Sequence, residues 1–344
     1  MQTRKLTTRN GSSLAFSVVG LGTGPLGDFF ELLDEKTAIS TVEQALASGI
    51  RVFDGSPHYG NGLAESRMGA GLRRAPRDEI VVSSKIGRIM DPRGKKPERR
   101  KDVVSPGFAG GFPHAPRFDY SYDGAMRSIE HSLLRLGLDR LDIVLIHDCD
   151  VWTHGPVDAG PRFKQAMEGA YVALDKLRAE KVVKAIGFGI NEAETCVKFA
   201  RAGDFDVAMM AGRYTLLVQT GLDEFLPLAQ QKNIGVMLAG VFNSGILATG
   251  SIPHAKFDYA DAPTEIVAKV KKIEDVCKAH GVTIRQAALQ FSMAHPAVVS
   301  IVLGAVKPDE VKANVDDATV AIPNRLWSDL KSGDLLNPAA PTAG

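Results

Sequence analysis

The chain has 344 residues, 44% of them hydrophobic and 24% charged. That balance belongs to a folded protein and excludes disorder over most of the length. With 41 lysines and arginines against 40 acids the net charge is +1, which gives no electrostatic case for a nucleic acid or an acidic membrane as partner. Cys149, Cys196 and Cys277 cannot all pair within one chain and show no metal-ligand spacing, so a reducing, cytoplasmic setting is expected. The polar opening MQTRKLTTRNGSS does not read as a signal peptide. No stretch approaches the roughly 20 apolar residues of a membrane span.

Taken in chain order, residues 4–16 come first, with Asn10-Gly11 between polar and apolar residues. That is a hairpin signal, and such a hairpin can plug the bottom of a barrel. Eight short apolar runs follow: SVVGL (17–21), IRVF (50–53), IVVSS (80–84), DIVLI (142–146), KAIGF (184–188), DVAMM (206–210), IGVML (234–238) and VVSIVL (298–303). They are rich in β-branched residues and apolar throughout rather than alternating, as strands of a covered parallel sheet are. Between them lie segments with helical spacing. Asp34 caps one with a stripe of Ile39, Val42 and Leu46 and a stop at Gly49. Another spans 122–136 before Gly137. A third opens at Pro263-Thr264, and Thr283 with Gln286 forms a capping box for the next.

Eight strands alternating with helices, extra helical material before the eighth and no mark of a domain boundary predict one (β/α)8 barrel over residues 1–344. A doubly wound open sheet is the rival. Two segments depart from the alternation. Residues 88–120, rich in Gly, Pro and basic residues, read as a long mobile loop after strand three, of which 91–115 are expected to help close the mouth. Residues 321–344, ending in NPAAPTAG, read as a partly disordered tail.

Three ionisable residues stand where apolar strands end: Asp54 after IRVF, Lys85 after IVVSS and His147 after DIVLI. In a parallel barrel all strand C-termini open on one mouth, so the three converge there. An unpaired ammonium at the end of a buried strand is costly, and Asp54 on the neighbouring strand is the natural partner for Lys85. Tyr59 lies in the turn 56–60, where a nearby ammonium favours the phenolate and lowers its pKa. Asp54, Tyr59, Lys85 and His147 thus form a proton-transfer site.

Other patterns carry less. Gly22-Thr23-Gly24-Pro25-Leu26-Gly27 matches a dinucleotide fingerprint in letters, but that motif needs a helix opening at the loop, and Pro25 argues against one. His147, Asp148, Cys149, Asp150 and His154 cluster in sequence, but consecutive residues of an extended strand point to opposite sides. No metal site is expected. A nucleophilic Cys149 would leave Tyr59 and Lys85 without a role.

The sequence resembles the aldo-keto reductase family. The resemblance is carried by Gly20-Leu21-Gly22-Thr23, FDGSPHYGNGLAE (53–65), Ser84-Lys85, RLGLDRLDIVLIHD (135–148) and LGAVKPDEVKAN (303–314). It implies a nicotinamide cofactor at the barrel mouth and assigns the family's catalytic tetrad to Asp54, Tyr59, Lys85 and His147. Cofactor contacts fall on Gly22, Thr23, Asp54, Asn191, Gly304, Lys307, Glu310 and Asn314. Substrate contacts fall on Tyr59, His147, Trp152 and His154.

Segments 118–155 and 239–250 are similar to a branch containing D-threo-aldose 1-dehydrogenases, that is, L-fucose or L-galactose dehydrogenases, and a pyridoxal 4-dehydrogenase. Both reactions turn a cyclic hemiacetal into a lactone. The resemblance thus implies oxidation of an aldose of the L-fucose, L-galactose or D-arabinose type at C1. Oxidation of pyridoxal is the close variant, aldehyde reduction the reverse, and a non-catalytic cofactor-binding channel subunit the reading from another class. Ala239-Gly240 replace the family's stacking aromatic, and Gly187–Asn191 replace its usual strand-five end. Where family members that use NADP supply Lys, Ser or Thr, and Arg to the 2′-phosphate, this chain has Gly304, Ala305 and Glu310, with Lys307 the one cation nearby. NAD is therefore the expected cofactor in preference to NADP.

Overall fold

The computed structural model describes residues 1–29, 31–92 and 108–342. Strands β1 (Thr3–Thr7) and β2 (Ser13–Ser17) form the expected hairpin, with Thr7 opposite Ser13. Next in the chain come β3 (Val19–Gly22), β4 (Val52–Asp54), β5 (Val81–Asp91), β6 (Ala115–Asp119), β7 (Ile143–His147), β8 (Ala185–Ile190), β9 (Val207–Ala211) and β10 (Gly235–Ala239). The short β11 (Lys256–Phe257) and β12 (Ala260–Asp261) precede β13 (Val298–Gly304). The order β3-β4-β5-β7-β8-β9-β10-β13 closes on itself through parallel pairs, making an eight-stranded barrel. Each of its strands overlaps one of the eight apolar runs, because barrel strands are covered on both faces and cannot alternate.

The outer layer comprises α1 (Glu35–Ala47), α2 (Leu63–Leu72), α3 (Tyr122–Leu136), α4 (Val151–Gln165), α5 (Tyr171–Ala179), α6 (Ala193–Ala202) and α7 (Phe225–Gln231). It continues with α8 (Ile246–Thr249), α9 (Thr264–Ala279), α10 (Ile284–Ala294), α11 (Pro308–Ala318) and α12 (Asn324–Ser332). The caps are those the residue types dictate. Asp34 accepts from the Thr37 amide, Ser121 from Gly124, and Thr283 and Gln286 form a reciprocal box. No helix among the described residues is long and apolar enough to cross a membrane.

The apolar core has two parts. One lies between strands and helices. The other fills the barrel, where Val52, Val81, Ile143, Leu145, Met209, Met237 and Val299 meet Leu6, Leu14 and Phe16 from the hairpin. The hairpin is therefore the barrel floor.

Two expectations are corrected. Residues 88–120 are not loop throughout: β5 runs past the barrel and pairs antiparallel with β6, from Gly87 opposite Asp119 to Asp91 opposite Ala115. Gly87 turns the strand there at φ +109, and a Cβ would lie 2.4 Å from the Tyr120 ring. Residues 93–107, which hold most of the expected closing loop, lie outside the described residues. The tail is not disordered over 321–342 either. Helix α12 buries Leu326, Trp327 and Leu330, and Leu335, Leu336 and Ala340 are buried after it. The Pro- and Ala-rich ending hid an ordinary amphipathic helix.

Phe16 is fully buried, so Phe16→Ala is expected to cost about 3–5 kcal/mol of stability. Chemical denaturation measures this, and a loss below about 1 kcal/mol would show that the hairpin is not part of the core.

Candidate active site

The barrel brings the strand-end residues together. Lys85, only 2% exposed, donates to Asp54 Oδ2 at 2.5 Å and to the Gly55 carbonyl at 2.8 Å. Tyr59 opens a 3-10 turn over 59–62, and the Lys85 ammonium lies 4.9 Å from its ring centroid. The Tyr59 ring meets His147 edge-on at 6.0 Å. The four residues predicted to converge do so.

Burial opposes the charge on Lys85, but Asp54 and Tyr59 outweigh it and hold the ammonium pKa above its ordinary value. Tyr59 differs from the sequence expectation. Burial pushes its phenol above the ordinary value, and the opposing pull of Lys85 is smaller. The sequence showed the cation and not the depth of the pocket. His147 is held well below 6.5, by burial first and then by Lys85 and Arg88, so its ring is neutral.

Its tautomer follows from its neighbours. His147 Nε2 lies 3.3 Å from Asp148 Oδ1, and Nδ1 lies 3.2 Å from Ser56 Oγ. Ser56 Oγ, whose oxygen is taken by the His58 amide at 3.1 Å, gives its own proton to Nδ1, so the ring proton sits on Nε2.

Ser56, Asp148 and Arg88 were not singled out from the sequence. Alternation along an extended strand puts Asp148 on the side away from His147. The structure instead gives Asp148 a left-handed φ of +48, with its amide donating to the Gly189 carbonyl at 3.0 Å. The turn brings Asp148 to the same side as His147. There it accepts from Arg88 at 2.8 Å and from Asn191 Nδ2 at 3.1 Å. Arg88 comes from the β5–β6 ribbon and stacks 4.5 Å from the Phe118 ring. An acid in a strand-end position that turns left-handed has no local sequence signature beyond the aspartate itself.

A cleft of about 800 Å³ runs from these residues across the barrel mouth, a size that suits a whole organic ligand. Trp152 lines it. His154 does not; its Nε2 lies 3.0 Å from the Tyr120 hydroxyl oxygen and its ring packs on Phe118. Of the expected cofactor residues, Gly22, Asp54, Asn191, Gly304 and Glu310 line the cleft. Thr23 lies behind, donating to the Asp54 carbonyl at 2.9 Å. Asn314 is buried, donating to the Gly304 carbonyl at 3.4 Å and accepting from Arg285. Lys307 is exposed just before α11. Ala239 and Gly240 line the cleft where the sequence lacks an aromatic. The fingerprint-like loop 22–27 leads into a three-residue 3-10 turn, Pro25–Gly27. Among the described residues no cluster of His, Cys, Asp and Glu could hold a metal ion.

The family model described as "Aldo/keto reductase family" matches residues 18–333. The chain belongs to this family. Among curated relatives, a pyridoxal 4-dehydrogenase of Microbacterium luteolum is 38% identical over 330 residues, covering 95% of this chain and 96% of the relative. A D-threo-aldose 1-dehydrogenase of a Pseudomonas species is 37% identical, covering 94% and 96%. In fold, a holo aldo-keto reductase from Bacillus halodurans superposes with a TM-score of 0.72 at 23% identity, over 99% and 98% of the two chains. Aldo-keto reductases are oxidoreductases that use nicotinamide cofactors.

The site suits such a group. Asp54 Oδ1 is buried and has no hydrogen-bond partner among the described residues, leaving an acceptor for a ribose hydroxyl. A Cβ at Gly189 would stand 3.7 Å from both His147 and Lys85, and one at Gly304 would reach within 2.8 Å of Pro25. Side chains at these positions would fill the floor of the cleft.

The pKa direction of His147 gives a direct test. Its imidazole should remain neutral near pH 6.5, where a free histidine is about half protonated. Nitrogen-resolved NMR of the ring reads this. Lys85→Met removes one of the two cations that depress the pKa, and should raise it.

Proposed function

We propose that this aldo-keto reductase oxidises the hemiacetal carbon of an aldose of the L-fucose, L-galactose or D-arabinose type to a lactone, with NAD preferred over NADP. The observation that carries this reading is the buried Lys85–Asp54 pair beneath a half-buried Tyr59, beside a neutral His147 that lines the same cleft. His147 donates to the anomeric oxygen and holds it against Tyr59. Tyr59 takes the hydroxyl proton in its ionised form, which the Lys85 ammonium favours against the burial that raises the phenol. The nicotinamide cofactor, when bound, supplies the acceptor for the hydride from C1. Asp54, Gly22, Asn191 and Gly304 are the cleft residues that would hold it. A cytoplasmic setting fits three cysteines that are all buried and unpaired.

The cofactor preference rests on Glu310. Its carboxylate accepts from the Val306 amide at 2.9 Å at the start of α11 and lines the cleft. Part of its role is therefore to satisfy that helix start. The same charge repels a 2′-phosphate, which carries up to about −2, and can accept from a free 2′-hydroxyl. Arg285 is committed to Asp317, Asn314 and the face of Phe242.

Pyridoxal oxidation to its lactone is the second reading, favoured by the 38% identical relative. A panel of L-fucose, L-galactose, D-arabinose and pyridoxal with NAD, followed by NADH absorbance, separates the two. Turnover of pyridoxal and of none of the aldoses would replace the first reading by the second.

Tyr59→Phe should keep the fold and cofactor affinity and lose about 100- to 10,000-fold in turnover. Activity within about threefold of the parent would remove Tyr59 from the proton path. kcat/KM should be higher with NAD than with NADP, and Glu310→Arg should narrow or reverse the gap. Equal or better use of NADP by the unaltered protein would refute the charge argument.

A further inference from the structure

We propose that Asp148 is a specificity-determining residue: its carboxylate receives the hydroxyl vicinal to the hemiacetal carbon, so the site selects substrates that carry one. This rests on the hemiacetal-oxidising reading above and adds the feature by which a substrate is chosen.

The tetrad chemistry has no use for Asp148, yet the chain holds it with unusual firmness. Its left-handed backbone is unfavourable for a residue with a side chain. Arg88 and Asn191 fix the carboxylate, and the buried Tyr120 hydroxyl clamps the backbone at both His147 and Asp148, at 2.8 and 3.1 Å. These contacts come from the β5–β6 ribbon, β8 and α3's leading edge, so the acid cannot swing aside. It lines the cleft, and Oδ1 is 3.3 Å from the nitrogen that addresses the reacting oxygen.

A substrate oxygen on His147 Nε2 therefore has Asp148 as its immediate neighbour. Vicinal oxygens of a polyol are spaced about one hydrogen bond apart, so the adjacent hydroxyl reaches the carboxylate. An ionised carboxylate accepts and never donates. It takes a hydroxyl and rejects an ether oxygen or an anion at that place. Arg88, stacked on Phe118, neutralises the acid without releasing it.

The test compares L-fucose with 2-deoxy-L-fucose in the full-length protein with NAD present. Binding is read from Trp152 fluorescence, since Trp152 lines the cleft and the second tryptophan, Trp327, is buried in the tail. The unaltered protein should bind L-fucose about tenfold or more tighter than the deoxy sugar, the scale of one charged hydrogen bond. Asp148→Asn tolerates the left-handed backbone, so the fold is retained. It should erase that preference while leaving the deoxy sugar's affinity within about twofold.

Equal loss for both sugars would make Asp148 only a support for His147 and overturn the proposal. So would a preference that survives Asp148→Asn, or no preference in the unaltered protein. NADH formation is measured alongside. If the preference is present and neither sugar yields NADH, the oxidation reading falls and the role of Asp148 stands. If NADH forms without the preference, the role of Asp148 falls alone.

Discussion

The site is organised around one buried ion pair, Lys85 with Asp54. Isolated, either charge would be intolerable at the end of a barrel strand. The closed sheet makes the pair possible. Strands β4 and β5 are neighbours in register, with Asp54 opposite Ser83, so two residues chosen far apart in sequence emerge side by side. Lys85 adds the Gly55 carbonyl as a further acceptor. Removing either partner strands the other, which is why this pair and the fold around it are inseparable. The lysine then acts on two rings at once: it opposes the burial that raises Tyr59, and it helps keep His147 neutral. One cation thus works against burial at Tyr59 and with it at His147.

The barrel was legible because its strands are short, apolar on both faces and separated by capped helices, and each apolar run became a barrel strand. The convergence of Asp54, Tyr59, Lys85 and His147 was legible because a charged residue at the end of an apolar strand has few places to go. What stayed hidden depended on conformation or depth. Gly87 lets β5 leave the barrel and carry Arg88 over the mouth. Nothing in the run RIMDP distinguishes that ribbon from a loop. The raised phenol pKa of Tyr59 depends on how deeply neighbouring elements bury it, which no pairwise spacing reveals. Asp148 was misplaced by a rule that holds for extended strands and fails at the first left-handed residue after one. Helix α12 was obscured by the company of prolines and alanines, although Leu326, Trp327 and Leu330 carried its apolar stripe.

The second ion pair, Arg88 with Asp148, links segments the first does not reach. Through His147, Ser56 and the His58 amide, a line of polar contacts runs from the β5–β6 ribbon to the turn that carries Tyr59. Every member is held on a strand, a strand end or a tight turn. Such a chain fixes each proton in one place. The Ser56 hydroxyl can give its proton to His147 because its oxygen already accepts from the His58 amide. On the reading proposed above, donation to the reacting oxygen is thus directed by Ser56, one hydrogen bond behind His147.

The charge inventory of the cleft closes the argument. Among the described residues that line it, Lys85 is matched by Asp54, Arg88 by Asp148, Arg213 by Asp258 and Lys256 by Asp261. None of these cations is left over for an anionic ligand. Glu310 has no such match; its carboxylate meets the Val306 amide at the far end of the cleft. A site with balanced pairs where the substrate binds has no net charge with which to select an acid or a base, and must choose by the placement of donors and acceptors. A site with an uncompensated acid at the α11 end disfavours extra negative charge there. On the reading proposed above, the two ends ask for different things: a neutral, hydroxyl-bearing molecule beside His147, and a dinucleotide without a 2′-phosphate beside Glu310. Both demands follow from which carboxylates the fold has paired and which it has left facing the cleft.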